Sequence, residues 1–285
     1  MRSALVAALL VLITACGGTP GKPVADQLRE LVDRPASLDV AENRQIGECM
    51  RRAGLSYPDV PPPREDRPVV GLVRASAPLR LEDARREGYP DSVMIPPPRQ
   101  GPVEAHAEAL PPETRERFND LLRGDTGTDV RVTLAGGFET AASSGGCVGS
   151  ARKQLYGSVA NFLTVFYTAE LAQRQASGAD RDPEVVAAYE SYAKCMGTKG
   201  HRVAAPAEAV ALAKKRPAEE IAVATADAEC RGVTRLHAVR EAAADRIVRR
   251  WLGDNSGAVV QAHALLGEAL RVSGVGSPFP SVGSA

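Results

Sequence analysis

Aromatic residues are scarce in this chain: Phe, Tyr and Trp make up 4% of its 285 residues, with a single Trp. Large rings supply much of the buried area of an ordinary core, so this core has to be built from Ala, Val and Leu. An excess of charge of one sign is also missing. Lys and Arg number 35, and Asp and Glu number 35, so there is no basic face for a phosphate backbone and no nucleic-acid partner is expected. Histidine is sparse and scattered, at His106, His201, His237 and His263, which deprives a cysteine nucleophile of an evident base and most metal sites of paired ligands. Long hydrophobic runs are absent too. The apolar stretch from Ala4 to Ile13 is too short to span a bilayer as a helix.

That short stretch has its own meaning. "MRSALVAALLVLITACGG" carries a positive charge at Arg2, then the apolar run, then small residues and a cysteine, the layout of a secretory signal. Ile13-Thr14-Ala15-Cys16 resembles the bacterial lipobox, in which cleavage precedes a cysteine that is then lipidated; Leu is commoner where Ile13 stands. The expectation is a signal peptide over residues 1–15 and a lipid anchor at Cys16, with the alternative of an ordinary signal and a chance cysteine. Residues 16–23 follow as a flexible Gly- and Pro-containing tether. The protein is then expected on the outer face of the cytoplasmic membrane, extracytoplasmic.

With Cys16 assigned to lipid, Cys49, Cys147, Cys195 and Cys230 remain. An even number of cysteines in an exported chain reads as a disulfide framework, and four allow three pairings. The rest of the chain reads as mainly helical. Apolar stripes predict helices over about 24–34, 38–53, 112–123, 146–177, 183–199, 206–215, 217–252 and 256–271, with one short helix ended by Gly88. In the longest, Ile221, Ala224, Ala228, Leu236, Val239, Ala243, Ile247 and Trp251 form the apolar face; Glu219, Asp227, Arg231, Arg235, Glu241 and Arg249 form the charged one. "DVRVTLAGGFETAAS" alternates around Gly136-Gly137 and predicts one small β-hairpin. Two Pro-rich stretches near residues 57–68 and 95–102 loop or extend. The tail, 273–285, is expected to be disordered.

A short phrase occurs twice. "CMRRAG" starts at Cys49 and "CMGTKG" at Cys195. Each comes late in a helix, and each glycine falls where a helix end favours a left-handed residue. "GGCVGSARKQLYG" and "AECRGVTRLHAV" also share a plan, with Gly149 and Gly232 two residues past their cysteines. The order phrase, partner, phrase, partner predicts Cys49–Cys147 and Cys195–Cys230. It divides the chain into two helical units, 24–177 and 178–272, each a helical hairpin clipped by a disulfide. The Pro-rich segment and the β-hairpin are insertions in the first.

With "LPPETRERFNDLLRG" and the lipobox, these phrases make the chain similar to uncharacterised secreted lipoproteins of GC-rich Gram-positive bacteria, the actinobacteria. The likeness covers most of the mature chain. It implies an envelope location and paired cysteines, and carries no activity.

Catalytic and metal readings are weaker than structural ones. Cys147 after two glycines could be a nucleophile at a helix start, but a disulfide explains it in an exported chain. The glycines of "LAGGFETAASSGGC" match neither a P-loop nor a dinucleotide fingerprint. His237 and Glu241, four apart on a helix, make half a metal site; an exposed ion pair is the plainer reading. Glu219-Glu220 suits a helix N-terminus. Tyr156, Tyr167, Tyr189 and Tyr192 read as packing rather than a sugar-stacking platform. Arg249-Arg250 beside Trp251 could touch headgroups; a solvated helix end with a buried Trp is favoured. No catalytic residue, metal or cofactor is expected. The leading function is a non-catalytic binding or interaction module of the envelope. Its expected partners are the membrane, through the lipid, and a protein, peptide or cell-wall ligand. The alternatives are an envelope hydrolase with an unfamiliar site and the substrate-binding lipoprotein of a transporter.

Overall fold

The computed structural model describes residues 22–62, 69–74, 78–94, 100–124, 127 and 129–274. The signal segment, Cys16 and residues 275–285 of the tail lie outside them. The protein is mainly helical, with two small antiparallel hairpins among the described residues. In chain order, α1 is Val24–Val32, α2 Ala36–Arg52, β1 Val69–Val70, β2 Val73–Arg74, α3 Leu81–Glu87, α4 Asp91–Met94, α5 Pro102–Ala109 and α6 Pro112–Arg123. Then come β3 Val130–Thr133, β4 Glu139–Ala142, α7 Gly146–Tyr156, α8 Val159–Ala176, α9 Pro183–Thr198, α10 Pro206–Lys215, α11 Glu220–Thr234 and α12 Leu236–Val272.

Both cysteine pairs are closed as the repeat predicts: Cys49–Cys147 and Cys195–Cys230, with Cα–Cα distances of 5.6 and 5.7 Å. The repeated phrase also has a common backbone. Leu55 N–H donates to Met50 O and Gly54 N–H to Arg51 O; His201 N–H donates to Met196 O and Gly200 N–H to Gly197 O. These are two Schellman terminations, with Gly54 and Gly200 in the left-handed residue's place at φ 79° and 87°. Met50 and Met196, fully buried, each put the side chain after the cysteine into a core.

Beyond α4 and α5, which form where no helix is expected, two long helical runs are divided differently from expectation. The run over 146–177 is broken at Gly157, whose φ is 76°, and restarts with Ser158 Oγ accepting from Asn161 N–H at 3.0 Å. A glycine followed by an N-capping serine satisfies the ends of both helices, so the apolar stripe runs on while the backbone does not. The other break falls at Arg235, a non-glycine residue at φ 51°, rather than near Leu252. From there α12 continues through "GDNSG". Only Asn255 leaves helical geometry, and its Nδ2 donates to Trp251 O at 2.7 Å. The hairpin at 130–142 forms as expected, Val130 opposite Ala142 and Thr133 opposite Glu139. A second hairpin, Val69–Arg74, turns at Gly71 with φ 61°. Its two-residue strands are too short to show alternation.

Three buried clusters hold the helices. The central one joins α1, the start of α2, Leu72, α8, Val185 and α12, with Leu28, Leu163, Val248, Val259 and Leu266 at its middle. The second gathers Ala84, Tyr89, Tyr192, Met196 and Val223 around α11. The third, around the first clip, contains Ile46, Met50, Phe118, Leu122 and Cys147. The central core thus draws on both clipped halves, and α3, from the first half, packs on α11 of the second. Alanine at the contacts lets helices approach closely, which is how an aromatic-poor chain fills its interior.

Some stripe positions change face. Ile221, read as apolar face, is 50% exposed, while Asp227, read as charged surface, is 0% exposed. The cause is α3 with Tyr89, which covers the side of α11 that its own periodicity left open. There Asp227 accepts from Tyr89 Oη at 2.8 Å, from Tyr192 Oη at 2.7 Å and from both sides of the Arg231 guanidinium at 2.7 and 2.5 Å.

Candidate functional site

A groove of about 660 Å³ with mixed polar and apolar walls opens beside the first clip. Its site is made where α2 and α7 are tied by Cys49–Cys147 and where α6 meets α7. That meeting explains the glycines of "SSGGC". The backbones of Gly124 and Gly146 touch: a Cβ on Gly146 would lie 2.5 Å from Gly124 N and 2.6 Å from Leu122 O. Gly149 is equally constrained, because its Cβ would stand 2.3 Å from Ser144 O. These glycines are steric, and Cys147, in its disulfide, has no free thiol.

Glu42 and Asn43 reach the groove from α2, and Arg152 from α7. Arg152 Nε is 3.0 Å from Glu42 Oε1, and its guanidinium carbon stands 3.9 Å from the Phe162 ring centroid. A cation held at once by a carboxylate and a ring face is fixed before any ligand arrives. Tyr57 donates to Asn43 Oδ1 at 3.2 Å. Burial, then the nearby Glu42 and Glu104 charges, push the Tyr57 hydroxyl up to about 12, so at neutral pH it is a firm donor. Ile46, Val103, Leu122 and Val148 supply apolar walls. At the mouth Arg123 and Glu104 pair at 3.5 Å, both more than half exposed, and contribute little to stability. The surrounding frame is rigid: Arg115 donates to the carbonyls of Ala107, Glu108 and Leu110, closing α5, and Arg117 donates to Ala53 O at 2.9 Å.

A second groove, about 560 Å³, lies beside Cys195 and is mostly apolar, with Leu79, Leu81 and Val233 in its walls. Its basic side chains stand beside carboxylates: Lys199 on Glu229 at 2.6 Å, Arg231 on Asp227, and His237 Nε2 at 2.9 Å from Glu241 Oε1. Burial leads the rise of the Tyr89 and Tyr192 hydroxyls, both held protonated against the Asp227 carboxylate.

The other residues weighed from the sequence are scattered. His237 Nε2 stands 2.9 Å from Glu241 Oε1, and among the described residues no group of three or more His, Cys, Asp or Glu is placed to hold a metal ion. Glu220, beyond beginning α11, accepts the Tyr89 N–H at 3.2 Å. Tyr156 is buried and accepts from Arg34 Nη1 at 3.0 Å. Arg249 pairs with Asp245, and Trp251 packs partly buried on the central core. No described helix is long and apolar enough to cross a membrane.

Glu42, Asn43, Tyr57 and Arg152 were not singled out from the sequence. One signal was present for Glu42: it sits in the stripe Leu38, Glu42, Ile46, Cys49, where a carboxylate interrupts core spacing. Comparison of the chain with protein-family models, with curated proteins and with solved structures finds no match.

Proposed function

We propose that the protein is a non-catalytic binding module of the cell envelope, anchored through lipid on Cys16 at the outer face of the cytoplasmic membrane. Its groove beside Cys49–Cys147 takes an extended peptide. The observation that carries this reading is the make-up of the groove. Two opposite-charge pairs, Glu42–Arg152 inside and Glu104–Arg123 at the mouth, stand on apolar walls with the Tyr57 hydroxyl between. A peptide offers side chains of both kinds and amides that both donate and accept, so it can meet the charged edges, the Tyr57 hydroxyl and the apolar walls together. The paired cysteines suit the oxidising compartment that the lipobox implies.

Cross-linking on intact cells with the anchor in place tests it. A photoreactive residue at Val103, in the groove, should capture a peptide-bearing partner, and the same residue at exposed Val186 should not. Arg123→Glu should reduce capture severalfold. Equal labelling from both positions would overturn the reading. So would a melting-temperature rise with a free amino acid or sugar seated in this groove, which would favour an importer component, or peptide cleavage, which would favour a hydrolase.

A further inference from the structure

Five of the scarce aromatic side chains form one unbroken row. Tyr156 and Phe162 stand 5.3 Å apart between ring centroids, Phe162 and Phe166 5.8 Å, Phe166 and Tyr167 5.2 Å, and Tyr167 and Phe138 5.6 Å. Guanidinium groups cover the row, Arg152 over Phe162, Arg34 over Phe166 and Arg174 over Phe138. Phe166 is the exception to its packing. It remains 40% exposed, although a chain this poor in rings would gain by covering it.

Phe166 borders a small cleft of about 200 Å³ that is separate from the peptide groove. Its polar wall consists of Arg34, Asp39, Arg74, Glu170 and Gln173. Each is fixed by the protein itself. Arg34 donates to Tyr156 Oη at 3.0 Å and to Asp39 Oδ1 at 2.6 Å. Arg74 N–H donates to Gln173 Oε1 at 2.9 Å, and Gln173 Nε2 returns a bond to Arg74 O at 3.0 Å. Glu170 Oε1 accepts from Arg174 Nε at 3.2 Å. The wall is therefore set before a ligand arrives, which lowers the cost of binding.

The charges of the wall select the ligand. Two guanidiniums face two carboxylates, so the cleft is neutral as a whole. An anion would meet Asp39 and Glu170, and a cation would meet Arg34 and Arg74. An uncharged ring with hydroxyls on its rim meets neither penalty. Each hydroxyl can donate to a carboxylate and accept from a guanidinium or the Gln173 amide, while a C–H patch of the ring lies against the exposed part of Phe166 that Phe162 and Arg34 leave uncovered. The volume is below the ~300–1,000 Å³ of pockets that enclose drug-sized molecules and suits one such ring.

We propose that this cleft is a saccharide subsite, in which a neutral pyranose of an envelope glycan stacks on Phe166 and is read by Arg34, Asp39, Glu170 and Gln173. It does not depend on the peptide groove. The test uses the full-length protein in a detergent without a sugar headgroup, titrated calorimetrically with chitotriose, cellotriose and mannotriose. At least one should bind saturably. Phe166→Ala should weaken that binding tenfold or more in a variant that still unfolds in one cooperative transition; Phe166→Trp, which keeps a ring there, should retain it. Glu104→Gln, on the other groove, should leave it unchanged. Failure of all three sugars to bind, binding indifferent to Phe166→Ala, or stronger binding of inorganic phosphate than of any neutral sugar would each overturn the proposal.

Discussion

Asp227 gathers four hydrogen bonds in a fully buried position. Its carboxylate is fully buried and receives two phenolic hydroxyls and a two-pronged guanidinium. Removing it leaves the part-buried Arg231 without its carboxylate and two buried hydroxyls without an acceptor. Asp227→Ala should therefore cost about 3–5 kcal/mol, measured by urea unfolding. Tyr192→Phe removes one bond and should cost only about 1–2 kcal/mol. Should the two variants be equally stable, the hub would have no special weight. Tyr57 gives a pH signature. Its folded value near 12 lies above the ~10 of an unfolded tyrosine. Its contribution is then complete below pH 10 and is lost as pH rises through 12, because only the unfolded state gives up the proton in that interval. Tyr57→Phe should flatten the fall in stability between pH 10 and 12; an unchanged profile would point to other groups. Asp227 and Glu42 also show why single residues were hard to assign from the sequence. Each lies on a helical face whose burial depends on a remote segment: Tyr89 for the first, Arg152 of α7 for the second.

At the scale of elements, similar glycines have different causes. Gly149 and Gly232 occupy the same place in the two partner phrases. A Cβ on Gly149 would strike Ser144 O, while one on Gly232 meets nothing within 4 Å. Gly149→Ala should lose about 1–3 kcal/mol through overpacking. Gly232→Ala should gain about 0.5–1 kcal/mol, since alanine is the better helix former. Thermal melts of the two variants should shift in opposite directions, and shifts of one sign would mean that the two positions are equivalent. The recurrent Cys-Met-x-x-x-Gly phrase was legible as an element because all its parts are local: cysteine late in a helix, methionine into the core, glycine turning the chain out. The break at Gly157-Ser158 was equally local, and its cap signals were present beneath an uninterrupted apolar stripe. The break at Arg235 has no such signal. A left-handed arginine costs free energy that only the packing of α11 and α12 on their neighbours can offset.

Across the whole molecule, the two disulfides close loops of different length, 98 and 35 residues in sequence separation. In the chain-entropy account these contribute about 4.7 and about 3.8 kcal/mol. Replacing both Cys49 and Cys147 with Ser should lower stability more than the same change at Cys195 and Cys230, read from denaturant midpoints; the reverse order would mean that packing or strain outweighs loop entropy. Each variant should still unfold in a single transition, because the central core takes side chains from both clipped halves. The sequence by itself determined the helical class, the turn of the β3–β4 hairpin and, through its repeated phrase, the cysteine pairing. The first two follow from periodicity and local turn signals, the pairing from the repeat. Tertiary structure alone decided which face of α11 is dry, that the glycines before Cys147 serve a backbone crossing, and that Glu42, Tyr57 and Arg152 converge on one groove. Those outcomes depend on contacts between segments tens to more than a hundred residues apart, and no local pattern encodes which surface will cover which.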